Sequence, residues 1–250
     1  MIDHTPRRVV VVTGAGTGIG RATARAFSSA GAHVIAVGRR TAPLTQTATD
    51  HPLITPLAVD VTAADAPDRV VRAALDRHGR LDVLVNNAGI AGGGDLADLD
   101  ETAARRQLET NLLAPVRLAH AAVPALTDAR GVIVNVTTAV GQRAWPGSAL
   151  YAAGKTALDS LTRSWAVELA PRGVRVVAVA PGAIDTPIGT HQGLDPQQRD
   201  TVRAWQLAHT PLGRIGAPEE IAWAILRLCE PAAAFVTGVV LPVDGGAVVA

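Results

Sequence analysis

The chain has 250 residues, 48% of them hydrophobic, enough to bury a sizeable core, so wholesale disorder is excluded. A net charge of +1 with acids and bases intermixed leaves no basic face for nucleic acid or an anionic membrane surface. The single cysteine, Cys229, excludes an intrachain disulfide and a cysteine metal cluster, and the seven histidines lack ligand spacing.

In chain order, β-branched runs predict strands over 8–13, 33–37, 54–59, 81–85, 131–136, 174–180 and 239–242. Amphipathic segments between them predict helices over 19–30, 67–78, 100–126, 150–170 and 218–228. Gly31, Gly79 and Pro171 fall where three of these helices would stop. Strands that are apolar throughout, each followed by a helix, specify an α/β protein with a doubly wound parallel sheet in a single domain, 1–250. Segment 184–217, rich in Pro, Gly and polar residues, interrupts the alternation and reads as a substrate lid. Arg7 and Arg8 precede an apolar run too short for a signal core, and no run approaches a membrane span. A cytoplasmic, soluble protein is the expectation.

The first strand runs into Thr13-Gly14-Ala15-Gly16-Thr17-Gly18-Ile19-Gly20, in which Gly14, Gly18 and Gly20 have G-x-x-x-G-x-G spacing. Glycines at a strand-to-helix turn let the backbone approach a pyrophosphate, which the helix N-terminus attracts. Gly14, Thr17, Gly18, Ile19 and Gly20 are therefore candidate phosphate-end residues. A merely flexible turn is the alternative.

Tyr151 is the only tyrosine and Lys155 the only lysine; all other basic side chains of that pair of types are arginine. Positions i and i+4 share a helix face, so the ammonium is expected near the phenolic oxygen. A nearby cation favours phenolate and lowers the tyrosine pKa from about 10. Tyr151 is thus a candidate proton donor or acceptor.

Taken together, Thr13–Gly20, Asp60-Val61, Asn86-Asn87-Ala88-Gly89, Asn111, Tyr151/Lys155 and Pro181-Gly182-Ala183-Ile184-Asp185-Thr186 resemble the short-chain dehydrogenase/reductase family over essentially the full chain. The resemblance implies a Rossmann-like fold and a nicotinamide cofactor. It implies that Asp60 and Val61 meet the adenine edge and that Asn87, Ala88 and Gly89 lie against a ribose. Pro181, Gly182, Ile184 and Thr186 would line the cofactor, the last two holding the carboxamide. Tyr151 would be the general acid/base, Lys155 would bind the ribose, and Asn111 would hold a water relaying protons to Lys155. The family normally has Ser thirteen residues before the Tyr, where this chain has Thr138. A Thr hydroxyl can still donate to a substrate oxygen, although its methyl narrows the pocket. Thr137 and Ser148 are nearby substitutes.

Cofactor choice follows from charge. An NAD-preferring site places an acid near the end of the second strand, and here that end reads Val37-Gly38-Arg39-Arg40. A guanidinium binds a 2′-phosphate, so NADP(H) is expected with Arg39 as the discriminator. Val140, Trp145, Ile188 and Trp205 are candidate substrate contacts, and the apolar Ile188, Trp205, Leu207 and Leu212 of the lid point to a neutral, hydrophobic ketone or secondary alcohol. Trp205 on a helix would equally suit core packing. The resemblance further implies a homo-oligomer, a tetramer by default. Two readings compete: a non-catalytic NADP(H)-binding regulator or scaffold of the same fold, and a carbon–halogen lyase. The complete Tyr/Lys/Asn set opposes the first; the intact nucleotide loop and Lys155 oppose the second.

Overall fold

The computed structural model describes residues 7–92, 96–142, 147–188 and 195–249. Seven strands form one parallel sheet in the order β3-β2-β1-β4-β5-β6-β7. They are β1 (Val9–Thr13), β2 (His33–Gly38), β3 (Ile54–Ala58), β4 (Val83–Asn86), β5 (Val132–Val136), β6 (Arg175–Pro181) and β7 (Val240–Val243). β1, β4 and β5 are buried along their whole length, which is why they read as continuous apolar runs instead of alternating ones.

Alternate residues of each strand serve two cores. Val9, Val11, Ile35, Leu84, Ile133 and Val176 face α3 (Ala66–His78) and α5 (Ala114–Ala129). Val10, Val12, Val34, Val83, Val134 and Val177 face α1 (Gly18–Ser29) and the last helix, through Phe27, Ile221 and Ile225. Each fully buried Val, Leu or Ile contributes roughly 1.5–3 kcal/mol relative to exposure. Strand order reverses on either side of β1, so the chain leaves β1 and β4 in opposite directions. This opens a crevice at their C-terminal ends.

Two helices escape the sequence reading. The first, α2 (Thr41–Ala48), is short, rich in threonine and buries only Leu44 and Thr47. Tertiary bonds hold it: Arg25 donates to the carbonyls of Gln46 and Thr47, and Arg21 donates to the Gln46 side chain at 2.9 Å. The second lies inside the expected lid. α7 (Pro196–Ala208) starts with a reciprocal cap, the Asp195 carboxylate accepting from Gln198 N and Gln198 Oε1 accepting from Asp195 N. The expected 100–126 helix is α4 (Glu101–Leu108), a π turn over Glu109–Leu113, and then α5. The remaining helices are α6 (Ala149–Leu169) and α8 (Pro218–Leu228). Among the described residues, no helix is long and apolar enough to cross a membrane.

Candidate active site

The phosphate end is built where β1 and β4 finish side by side. Gly14 has φ +66°, and a β-carbon there would lie 2.8 Å from Asn87 Nδ2. At Gly20, a β-carbon would lie 2.3 Å from Gly14 O, so only glycine lets α1 approach the loop this closely. α1 begins after Thr17, whose side chain makes no cap bond, and its first turn contains no acid. Its opening amides are therefore left for an outside anion, which fits the pyrophosphate of a dinucleotide. Ile19 packs against the core behind the loop. A β-carbon on Gly18, where φ is +50°, would touch Thr186 at 3.0 Å, so the segment after β6 closes over the same loop.

That segment is fixed at its base. Pro181 ends β6 opposite Val243, and Gly182 N donates to Val243 O at 3.1 Å. Ile184 forms a parallel bridge with Gly216, with Asp185 N donating to Gly216 O and Gly216 N to Ala183 O, both at 2.9 Å. The two ends of the expected lid are thereby joined. Arg203 of α7 reaches back to Asp185 at 3.3 Å.

At the far end of the crevice, Arg39 follows the end of β2 and Asp60 lies two residues beyond β3. Both are exposed. Partial desolvation pushes the Asp60 carboxyl up. The Thr62 amide and hydroxyl, with the Arg39 guanidinium, outweigh it and leave the pKa lowered. Asp60 Oδ1 accepts both Thr62 bonds, at 3.0 and 2.8 Å, so this oxygen shapes its own turn. The Val61 side chain is buried in the core.

The proton-handling end lies on α6. The Tyr151 and Thr138 side chains are hydrogen-bonded to each other, and Thr138 Oγ1 lies 3.5 Å from Pro181 O. Burial pushes the Tyr151 phenol up, opposed by that hydrogen bond, and Lys155 is not a cause. This corrects the lowering expected from the i, i+4 spacing. The four-carbon stem of Lys155 carries Nζ to the end of β5 instead, where it donates to Val136 O at 2.7 Å. Burial lowers the Lys155 pKa to about 8, against a raising influence from Asp159. Asn111 sits in the π turn, fully buried, with Nδ2 donating to Ile90 O at 2.8 Å and Oδ1 accepting from Ile90 N at 2.9 Å. A β-carbon on Gly89 would lie 3.3 Å from Asn111 Oδ1 and 3.5 Å from Lys155 Nζ. Gly89 therefore keeps the approach to Lys155 open.

The candidate substrate residues are only partly brought together. Val140 belongs to a short 3-10 turn, Ala139–Gln142, and its side chain and Trp145 lie outside the described residues. Ile188 is 40% exposed. Trp205 is 41% exposed and stacks on His209 with ring centroids 3.9 Å apart, so the core-packing alternative for it does not hold.

A family model described as enoyl-(acyl carrier protein) reductase matches residues 14–248. The chain is 39% identical to the 3-oxoacyl-(acyl-carrier-protein) reductase FabG of Thermotoga maritima, covering 97% of this chain and 98% of that one. The human L-xylulose reductase is 38% identical over 96% of both chains. A crystal structure of a Brucella melitensis 3-ketoacyl-(acyl-carrier-protein) reductase complexed with NADH superimposes with a TM-score of 0.91 at 32% identity, covering 98% of this chain and 99% of that one.

The chain belongs to the short-chain dehydrogenase/reductase family. As a member it is an oxidoreductase of the nicotinamide-dependent kind.

Two further residues of this short-chain dehydrogenase/reductase bear on the site and were not singled out from the sequence. Thr13 accepts from the amides of Asn87 and Ala88, both at 2.9 Å, and donates to Val85 O at 3.2 Å. A threonine ending a strand gives no warning of that role. Asp159, 5% exposed, follows Lys155 by four residues, the same interval that links Tyr151 to Lys155. That spacing was there to be read.

Proposed function

We propose that this protein transfers a hydride between NADP(H) and a neutral, largely apolar ketone or secondary alcohol, with Tyr151 exchanging the proton. The observation that carries this reading is the Tyr151–Thr138 hydrogen bond beside buried Lys155, at the C-terminal edge of the sheet. Bound along the crevice, the cofactor would supply the hydride.

The chain's own residues have the remaining tasks. The α1 N-terminus and Gly14–Gly20 would hold the pyrophosphate, and Arg39 would meet a 2′-phosphate with charge-assisted hydrogen bonds. Asp60 and Val61 would border the adenine. Asn87, Ala88, Gly89 and Lys155 would border the ribose, and Ile184 and Thr186 the carboxamide. A substrate carbonyl would accept from Tyr151 and Thr138. Burial keeps the phenol protonated through neutral pH, the form a general acid needs in ketone reduction. In alcohol oxidation the same oxygen must lose its proton. The Thr138 donor then stabilises the phenolate, so oxidation should gain rate as pH rises. Asn111, held by Ile90 in the π turn, would place a water toward Lys155.

The apolar lid supports a hydrophobic substrate: besides Ile188 and Trp205, Leu212 is 68% exposed. Exposed Val167 on α6, Trp223 on α8 and Phe235 support a homo-oligomer, with a tetramer as the expected form. A non-catalytic binding role has no observation in its favour.

The test is Tyr151→Phe assayed for NADPH consumption across a panel of ketones, with NADPH binding measured by fluorescence. Binding should persist while turnover falls by roughly 10²–10⁴. Thr138→Ser should keep most of the turnover and Thr138→Val should lose it. A Tyr151→Phe enzyme that turns over at the wild-type rate with NADPH bound would overturn the reading.

A further inference from the structure

The face of α6 that carries Tyr151 and Lys155 continues to a third ionisable group, Asp159. The three recur at intervals of four and so lie along one stripe of the helix. Lys155 is 4% exposed and Asp159 5%. A carboxylate this deep is costly unless something compensates it. Its hydrogen-bond partner is the Thr137 side chain just past the end of β5, and its Oδ1 is buried with no partner. Leu158 and Thr162 fill the same buried face, so apolar packing does not call for an acid there.

The charges around the pair are few. On Asp159 they are Arg163, one turn further along, and Lys155. On Lys155, Asp159 is the only charge that acts among the described residues. β5 contributes the Val136 carbonyl, the next residue, Thr137, its hydroxyl, and the π turn the neutral Asn111 amide near Lys155 Nζ. Lys155 and Asp159 do not form a direct ion pair; Lys155 Nζ donates its hydrogen bond to Val136 O. A contact pair would draw Nζ down the helix and away from the phenol. A carboxylate one turn below supports the positive charge without capturing it.

We propose that Asp159 is a positioning residue for the reaction assigned above to Tyr151: its carboxylate is the buried counter-charge that keeps Lys155 an ammonium, while Val136 O aims it. The inference rests on that reading for its catalytic meaning, yet the charge state of Lys155 is measurable without turnover.

The composition makes the measurement direct. Lysine labelled with ¹³C at Cε gives one resonance, from Lys155, and tyrosinate absorbance reports only Tyr151. Lys155 should titrate near 8 in the full-length cofactor-free protein. In Asp159→Asn its midpoint should fall by about one pH unit or more. Tyrosinate formation, which follows loss of the lysine proton, should not move to higher pH, while the pH profile of turnover should shift with the lysine. Asp159→Thr also removes the charge while keeping a hydroxyl, and should lower the midpoint similarly. A Lys155 midpoint that is the same in Asp159→Asn as in the wild type overturns the proposal, whatever happens to stability. If Asp159→Asn does not fold, an unmoved midpoint in Asp159→Thr overturns it. Active Tyr151→Phe would remove the proposed function while leaving the Lys155 titration intact, so the two failures are told apart.

Discussion

Thr13 and Asn87 are bound to each other twice. The Thr13 hydroxyl accepts from the Asn87 backbone amide at 2.9 Å, and the Asn87 side-chain amide donates to the Thr13 carbonyl at 2.7 Å. The end of β1 and the loop after β4 are thereby one unit, and both walls of the cofactor crevice are set by it. Thr13→Val keeps the shape but leaves the Asn87 and Ala88 amides without their acceptor. The expected loss is about 1–3 kcal/mol of stability, read by urea denaturation, together with weaker NADPH binding. Thr13→Ser should restore both.

Gly20→Ala tests the closeness of α1 to the loop. The added carbon would lie 2.3 Å from Gly14 O and 2.5 Å from Asn87 Nδ2, the first of them backbone. Since the loop cannot yield as a flexible side chain would, overpacking of about 1–3 kcal/mol is expected. Calorimetry should show a lower Tm and NADPH titration a weakened or absent site. Gly79→Ala meets no atom within 4 Å but has φ +72°, so it should cost stability without affecting NADPH binding.

Arg39→Ala separates the two cofactors. If the guanidinium meets a 2′-phosphate, loss of about 1.5–3 kcal/mol of charge-assisted bonding should raise the KM for NADPH roughly 10–100-fold and leave that for NADH unchanged. Because Arg39 is exposed, wild-type NADPH affinity should also weaken with salt. Equal effects on both cofactors would assign Arg39 to the surface.

Acid stability should depend on Glu220, at the start of α8. Arg214 donates to its two oxygens at 2.6 and 2.7 Å and Ala217 N donates at 2.8 Å, holding the carboxyl at about 2 against an ordinary 4.5. The folded pKa is the lower one, so the unfolded chain binds more protons between those values. The contribution is fully present above pH 4.5 and is lost as pH falls through about 2. Glu220→Gln should flatten that part of the acid unfolding curve, and added salt should reduce the difference because the pair is exposed.

The amino-acid order by itself determined the sheet and most of its helices, because strands buried on both faces must be apolar throughout. It also determined the glycine turn and the Tyr151/Lys155 stripe, since spacing along a helix or turn is a local property. α7 is equally local, its Asp195-Pro196-Gln197-Gln198 start being a legible cap, although the polar stretch around it hides the helix. α2 was not legible: weak helix formers are held there by Arg21 and Arg25 from α1. Only the tertiary structure decided that Lys155 Nζ turns to Val136 O, that the Tyr151 phenol is pushed up, and that Asn111 occupies a π turn against Ile90. Proton affinities depend on which groups surround an atom and how much water they exclude, and those neighbours come from β4, β5 and the π turn, far apart along the chain.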